Sequence, residues 1–209
     1  SIKSGSRLNN NLFNLYSKIN TIQDNKIIIG GDHSMSIATI ADTLNRFPNA
    51  KVLWIDAHAD INTPETSPSN NYHGMPLAFL TGLACQSKLL DYTFIKNKLD
   101  FQNLLYIGIR DLDPFEKEII YKKKIKHISV SEMENNFAVS ARKIKNFIGN
   151  SPIHVSFDVD SLDPKVIPCT GTKSMEGLSL ETTRCLMDTL LNENIVNLDI
   201  TELNLFIGD

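Results

Sequence analysis

From Lys26 to Glu202 the chain alternates short apolar runs with longer stretches of helical spacing, and no linker breaks the alternation. No other feature constrains the fold as strongly. The runs Lys26–Ile29, Lys51–Ile55, Leu104–Gly108, Lys126–Val130, Pro152–Phe157 and Ile195–Ile200 are too short for stable helices and read as strands. Between them, Met35–Phe47, Leu77–Leu90, Phe115–Lys124, a segment running to Ile148, and Leu178–Leu191 are predicted helices. Ser131-Glu132-Met133-Glu134 reads as a capping box ahead of the fourth. Near the start, Leu8, Leu12, Leu15, Tyr16 and Ile19 space an amphipathic helix within Leu8–Ile22. Strand and helix in alternation, with near-continuous apolar strands, specify an α/β fold. The expectation is a single three-layer domain over 1–209, with a mainly parallel sheet and helices on both faces.

Composition excludes some partners. A net charge of −3 leaves no electrostatic footprint for nucleic acid or an anionic membrane. No apolar stretch approaches a membrane span, and the start shows no secretory pattern. Cys85, Cys169 and Cys185 are odd in number and lack motif spacing, which argues for a reducing, cytoplasmic setting. Lys122-Lys123-Lys124 reads as a solvated helix end that suits the helix dipole.

The polar residues are placed unevenly. His33, the Asp56-Ala57-His58-Ala59-Asp60 stretch, Asp113, the Asp158/Asp160 pair and Glu202 all follow strand ends. In open α/β sheets the site lies beyond the carboxyl ends of the strands. If extended geometry continues past Ile55, then Asp56, His58 and Asp60 share one face. Each residue alone has a plain structural reading: Asp56–Asp60 as a solvated loop, His33 as a helix cap, Asp158 as a turn cap. Together they specify a metal site. Asp56, Asp60, Asp158 and Asp160 would repel one another without cations. Two divalent ions would balance them, with one imidazole each from His33 and His58. Oxygen-rich donors with some imidazole and no thiolate favour manganese or a similar hard ion.

Three motifs carry a family resemblance. They are Gly30-Gly31-Asp32-His33-Ser34, Asp56-Ala57-His58-Ala59-Asp60, and Ser156-Phe157-Asp158-Val159-Asp160-Ser161-Leu162-Asp163-Pro164. In this order the chain resembles the arginase family of ureohydrolases, binuclear manganese enzymes, from Ile27 to Asn204. The resemblance implies one manganese on His33, Asp56, Asp60 and Asp158. It implies a second on His58, Asp56, Asp158 and Asp160, with Asp56 and Asp158 bridging. The loop after Asp60 resembles arginases rather than agmatinases: Asn62, Ser69 and Asn71 match positions that contact the amino-acid carboxylate, and Asp113 one near the α-amino group. Those loop residues also have a plain reading as turn formers. His73 resembles the family's proton-shuttle histidine, while Thr172 and Glu202 match positions at the guanidinium end.

The resemblance thus implies hydrolysis of L-arginine to L-ornithine and urea, with Asp60 orienting the attacking hydroxide, His73 moving protons and Glu202 holding charge. It also implies a homotrimer. An agmatinase or other amidinohydrolase, or a non-catalytic arginase-like subunit, is the alternative. His154 and His127 read as a core and a surface histidine, and Cys169 as a small apolar filler near the site. Ser161 stands where family members usually have Gly or another small residue. Arginases are typically longer, so the expectation is a catalytic domain with parts of the family fold, before Ile27 and after Glu202, reduced or missing.

Overall fold

The structure, a computed structural model, describes residues 2–84 and 92–207. Six strands, β1 (Lys26–Ile29), β2 (Lys51–Ile55), β3 (Leu104–Ile107), β4 (Lys126–Ile128), β5 (Ile153–Asp158) and β6 (Ile195–Thr201), form one sheet in the order β1-β6-β5-β2-β3-β4. Every pairing is parallel. From β2 the chain steps outward to β3 and β4, then returns to the other side of β2 with β5. The direction of winding therefore reverses between β2 and β5, and a crevice opens beyond their carboxyl ends.

Alternation along the strands builds two cores. Val52, Trp54, Leu104 and Tyr106 face one side, under α1 (Ile2–Ile19), α2 (Ser36–Arg46), α3 (Pro76–Thr81) and α4 (Pro114–Lys123). Leu53, Ile55, Leu105, Ile107, Ile153 and Val155 face the other. They lie under α5 (Val130–Asn135), α6 (Phe137–Ile148) and α7 (Leu180–Leu190). Helices on both faces of a parallel sheet match the sequence reading, and neither face of β2 is left to water. Leu53 and Trp54 are fully buried, one in each core; truncating such a side chain to alanine costs about 2–5 kcal/mol.

Several boundaries differ from the sequence reading for identifiable reasons. The third helix ends at Thr81 because Gly82 takes φ 81°, a left-handed cap. The rest of the predicted Leu77–Leu90 helix, with Cys85, lies largely outside the described residues. The capping box before Ile148 belongs to Ser129 and Glu132, not to Ser131. Asn136, at φ −154°, then divides the segment and caps α6 by accepting the Val139 N–H. Lys124 is the left-handed C-cap of α4, at φ 53°.

The inward face of β5 is polar rather than apolar. His154, Ser156 and Asp158 alternate along it and meet a polar stripe on α2. His154 Nδ1 lies 2.8 Å from Thr43 Oγ1, and its Nε2 lies 3.0 Å from Asp199 Oδ2. Ser36 Oγ lies 3.3 Å from Ser156 Oγ. His154 is thus a satisfied core histidine, as its place inside a strand predicts. Lys26 and Asp42 form a buried ion pair at 2.7 Å that ties β1 to the same helix.

Candidate metal centre

Each strand exit delivers one part of the site. After β1, Asp32 caps a short 3-10 turn, His33–Met35, by accepting the Ser34 N–H at 3.0 Å. The turn directs His33 inward, where it is 1% exposed. Its ring stacks on Trp54 with centroids 4.1 Å apart and planes 6° apart. Nε2 lies 2.9 Å from Ser156 Oγ, so Nδ1 is left facing the crevice. It sits 3.1 Å from Asp56 Oδ2, 3.3 Å from Asp60 Oδ2 and 3.0 Å from Asp158 Oδ2.

After β2 the backbone bends instead of continuing extended. Asp56 Oδ1 accepts the His58 N–H at 2.7 Å. Asp60 then takes φ 49°, a left-handed conformation unusual for a residue other than glycine. Asp56, His58 and Asp60 converge through this bend, not through the alternation of a strand. Glu202, after β6, is also left-handed at φ 61°. Two site carboxylates in sparsely populated backbone geometry are the kind of local strain that clusters at functional sites.

After β5, Asp158 Oδ1 accepts the Asp160 N–H at 2.8 Å, and Ser161 Oγ donates to the Asp158 carbonyl at 2.6 Å. Asp160 Oδ2 lies 3.1 Å from His58 Nδ1 and accepts the Thr172 hydroxyl at 2.9 Å. His58 Nδ1 is also 3.4 Å from Asp56 Oδ1. Three groups with metal-ligand geometry result among the described residues: one, Asp32, His73 and Glu202, is more exposed, and two lie deeper, His33, Asp56 and Asp158, and Asp56, His58 and Asp160. Asp56 contributes to both, with one oxygen turned to each histidine. Asp158 turns one oxygen to His33, and its other oxygen is occupied by the Asp160 N–H.

The residues fit a pair of cations. His33 Nδ1 and Asp56 Oδ2 are buried with no aligned hydrogen-bond partner, although three carboxylate oxygens surround the nitrogen. A lone pair aimed at three carboxylate oxygens is repulsive unless a proton or a cation lies between them. Without a cation, protons must do the balancing. Burial pushes the Asp60 carboxyl up to about 7, helped by the Asp56 charge. Burial and then Asp56 also raise Asp158 and Asp160. Asp56 itself is lowered, because the two imidazoles outweigh its burial. Burial would lower His58, but Asp160 and Asp56 reverse this and push it up to about 12. His33 is raised in the same way by Asp158, Asp56 and Asp60. Metal binding would displace these protons.

Above the ligand groups lies a cavity of about 230 Å³. His33, His58, Asp60, Asn62, Ser69, His73, Asp113, Asp158, Thr172 and Glu202 line it, so most of the predicted site residues share one space. Asn62 is buried and donates to Asp113 Oδ2 at 2.8 Å. Glu202 Oε1 accepts the His33 N–H at 2.6 Å and lies 3.7 Å from His73 Nδ1. Glu202 is the main cause of the raised His73 pKa. Asn71 is exposed, does not line the cavity, and precedes the 3-10 turn Tyr72–Gly74. Cys169 does not line it either.

Sequence reasoning missed Ser67, Asp111 and Glu116, which do line the cavity. Glu116 was visible as the partner of Asp113 in an Asp-x-x-Glu capping box. It accepts the Asp113 and Ile61 N–H groups at 3.0 and 3.2 Å, and burial pushes it up to about 7. A larger concavity, about 1170 Å³, runs beside β4 between α4 and α6, and no carboxylate lines it. The chemistry is concentrated in the smaller space.

Comparison with known proteins follows the same lines. The sequence profile of one family, described as the Arginase family, matches residues 3–207. The chain is 41% identical over 191 residues to an arginase of Neurospora crassa, covering 85% of this chain and 52% of that protein. It is 38% identical over 203 residues to an arginase of Plasmodium falciparum, covering 93% and 49%. The chain spans about half the length of the curated relatives it matches. Among solved structures, an Entamoeba histolytica arginase in complex with L-ornithine superposes with a TM-score of 0.88 at 32% identity, over 98% of this chain and 72% of that one. An arginase of Bacillus caldovelox gives 0.91 at 29% identity, over 97% and 70%.

Proposed function

This chain belongs to the arginase family, and on that premise we propose that it hydrolyses L-arginine to L-ornithine and urea with two manganese ions. The observation that carries the proposal is the shared carboxylate. Asp56 turns one oxygen to His33 and the other to His58, and both histidines line the cavity that Asn62, Ser69 and Asp113 wall. The ornithine complex of the Entamoeba relative supports a ligand of this class.

In this reading His33, Asp56, Asp60 and Asp158 would hold one ion, and His58, Asp56, Asp158 and Asp160 the other. Asp56 and Asp158 would serve both ions, and one oxygen of Asp158 also accepts the Asp160 N–H. When bound, the ions supply Lewis acidity and lower the pKa of a water to near neutrality. Oxygen and imidazole donors without thiolate suit manganese.

The chain's own groups do the rest. Asp60, fixed by its left-handed backbone at the cavity wall, accepts a hydrogen bond from the attacking water and orients it. Glu202, pinned by the His33 N–H, faces the guanidinium charge. As the water oxygen bonds to the guanidinium carbon, the water's proton passes to Asp60, the bond to ornithine's nitrogen breaks, and that nitrogen takes up a proton to leave. His73 lies beside Glu202, whose carboxylate favours the protonated imidazole, and so can deliver a proton. Asn62 and Ser69 offer amide and hydroxyl donors to the substrate carboxylate, and Asp113 an acceptor to its α-amino group.

The proposed setting is a cytoplasmic homotrimer. Free thiols at Cys169 and Cys185 suit a reducing compartment, and no helix among the described residues is long and apolar enough to cross a membrane. Steady-state kcat/KM on arginine and agmatine, measured with added Mn²⁺, tests the substrate. Arginine is expected to be the better substrate, and equal or better use of agmatine would make the chain an agmatinase instead.

A further inference from the structure

Arg110 follows β3 and is half-buried among the strand exits. Its Nε donates to the Met175 carbonyl at 2.9 Å. Nη1 donates to the carbonyls of Gly108 and Ser161, each at 3.2 Å. Nη2 donates to those of Asp160 at 2.8 Å and Ser174 at 2.7 Å. A guanidinium presents five N–H donors in a rigid planar fork. Here all five end on backbone carbonyls, and none is left for a carboxylate. The main chain adds to the clamp, since the Arg110 and Asp111 N–H groups both donate to the Ala57 carbonyl, at 2.8 and 3.0 Å.

These partners are not scattered. Ala57 lies between Asp56 and His58. The Asp160 carbonyl is gripped directly, while the Asp160 carboxylate meets His58 and the Ala57 N–H. Gly108, at φ +91°, brings β3 so close that a Cβ there would stand 3.3 Å from the Asp56 carbonyl. We propose that Arg110 is the positioning residue for the second metal group, fixing the separation of the chain segments that carry Asp56, His58 and Asp160. The inference rests on the two-metal reading given above. The His33 end is built differently, from the turn after β1, the Trp54 stack and Ser156, none of which Arg110 touches. Thr172 rides on the gripped loop and bonds to Asp160, so the same clamp sets that contact.

Charge and positioning predict opposite outcomes. Arg110 is a cation beside a cluster that would take up cations, so by charge alone Arg110→Met should tighten metal binding and Arg110→Lys should leave it unchanged. A lysine keeps the charge but gathers its donors on one nitrogen and cannot span five carbonyls. Positioning therefore predicts that both variants weaken the second ion.

The test is a Mn²⁺ titration of metal-stripped wild-type, Arg110→Lys and Arg110→Met protein, read by equilibrium dialysis with elemental analysis and by the electron paramagnetic resonance of free and bound Mn²⁺. Wild type should take two ions; fewer would defeat the two-metal reading itself, not the role of Arg110. Both variants should hold the first ion at wild-type affinity and the second about 10- to 100-fold more weakly, the range typical of lost outer support at a metal site. Wild-type affinity for both ions in Arg110→Lys would overturn the proposal. So would parallel weakening of the two ions, or loss of the thermal unfolding transition in both variants, because either would assign Arg110 to the fold as a whole.

Discussion

Replacing Asp56 by asparagine keeps the shape of the side chain and removes a charge that both ligand groups share. In the native geometry Asp56 Oδ1 accepts the His58 N–H at 2.7 Å, and Oδ2 lies 3.1 Å from His33 Nδ1. An asparagine keeps its carbonyl oxygen on the His58 N–H, so its NH₂ takes the place of Oδ2 and presents a donor where the first ion needs a ligand. A unit charge about 4 Å from a cation is worth about 4 kcal/mol at an effective dielectric of about 20. Retaining only a third of that loss, about 1.4 kcal/mol, still weakens each ion tenfold. In Mn²⁺ at about 100 times the wild-type Kd, each ion stabilises the folded state by about 2.7 kcal/mol, or about 5 kcal/mol for two. At about 2–4 °C per kcal/mol for a domain of this size, the wild-type Tm should rise by about 10–20 °C. Asp56→Asn should show about half that rise, because each ion then stabilises by only about 1.4 kcal/mol, and equilibrium dialysis should find each Mn²⁺ Kd raised at least tenfold. A variant that keeps two ions and the full thermal shift would refute the sharing of Asp56 between the two groups.

Without metal, stability should fall as pH rises from about 5 to 9. Asp60 and Glu116 are raised to about 7, and His58 to about 12, so the folded state holds more protons than the unfolded one across that window. Saturating Mn²⁺ should reverse the slope, because binding displaces those protons; Tm measured by scanning calorimetry at several pH values checks both signs, and a flat metal-free profile would count against the buried cluster. His73→Asn should retain both ions yet slow turnover by about ten- to ten-thousandfold, with partial rescue by added imidazole; unchanged turnover would remove His73 from the mechanism. Asn62→Ala with Ser69→Ala should lower kcat/KM for arginine by about ten- to a hundredfold, the loss of a hydrogen bond to a charged group, and spare agmatine. Equal losses on both substrates would argue against carboxylate recognition by these residues.

The candidate site residues stood out in the sequence because parallel sheets place their sites at strand ends: His33, Asp56 and Glu202 follow one, and Asp158 ends one. What brings Asp60 to the same point was not legible. Its left-handed backbone carries no local signal, since aspartate, unlike glycine, does not announce a positive φ. Gly82 did carry that signal, and a helix was nonetheless predicted through it, because apolar spacing continues past Thr81. The true capping serine, Ser129, was hidden by Ser131, which also has an acidic residue three places on, Glu134. Arg110 was unreadable for another reason. Four of its five carbonyl partners lie on Asp160, Ser161, Ser174 and Met175, 50 to 65 residues away, and only the reversal between β2 and β5 brings them within reach. Its significance lies in backbone groups, which are the same for every residue type and leave no trace in the sequence.

The most direct test of the account is urea release followed while metal-stripped protein is titrated with Mn²⁺ in saturating L-arginine. A two-metal arginine hydrolase should release no urea above the blank when stripped. Urea should then appear as Mn²⁺ is added and level off at two equivalents per chain, with ornithine formed in equal amount. Full activity in stripped protein, or no urea once two ions are bound, would contradict the account.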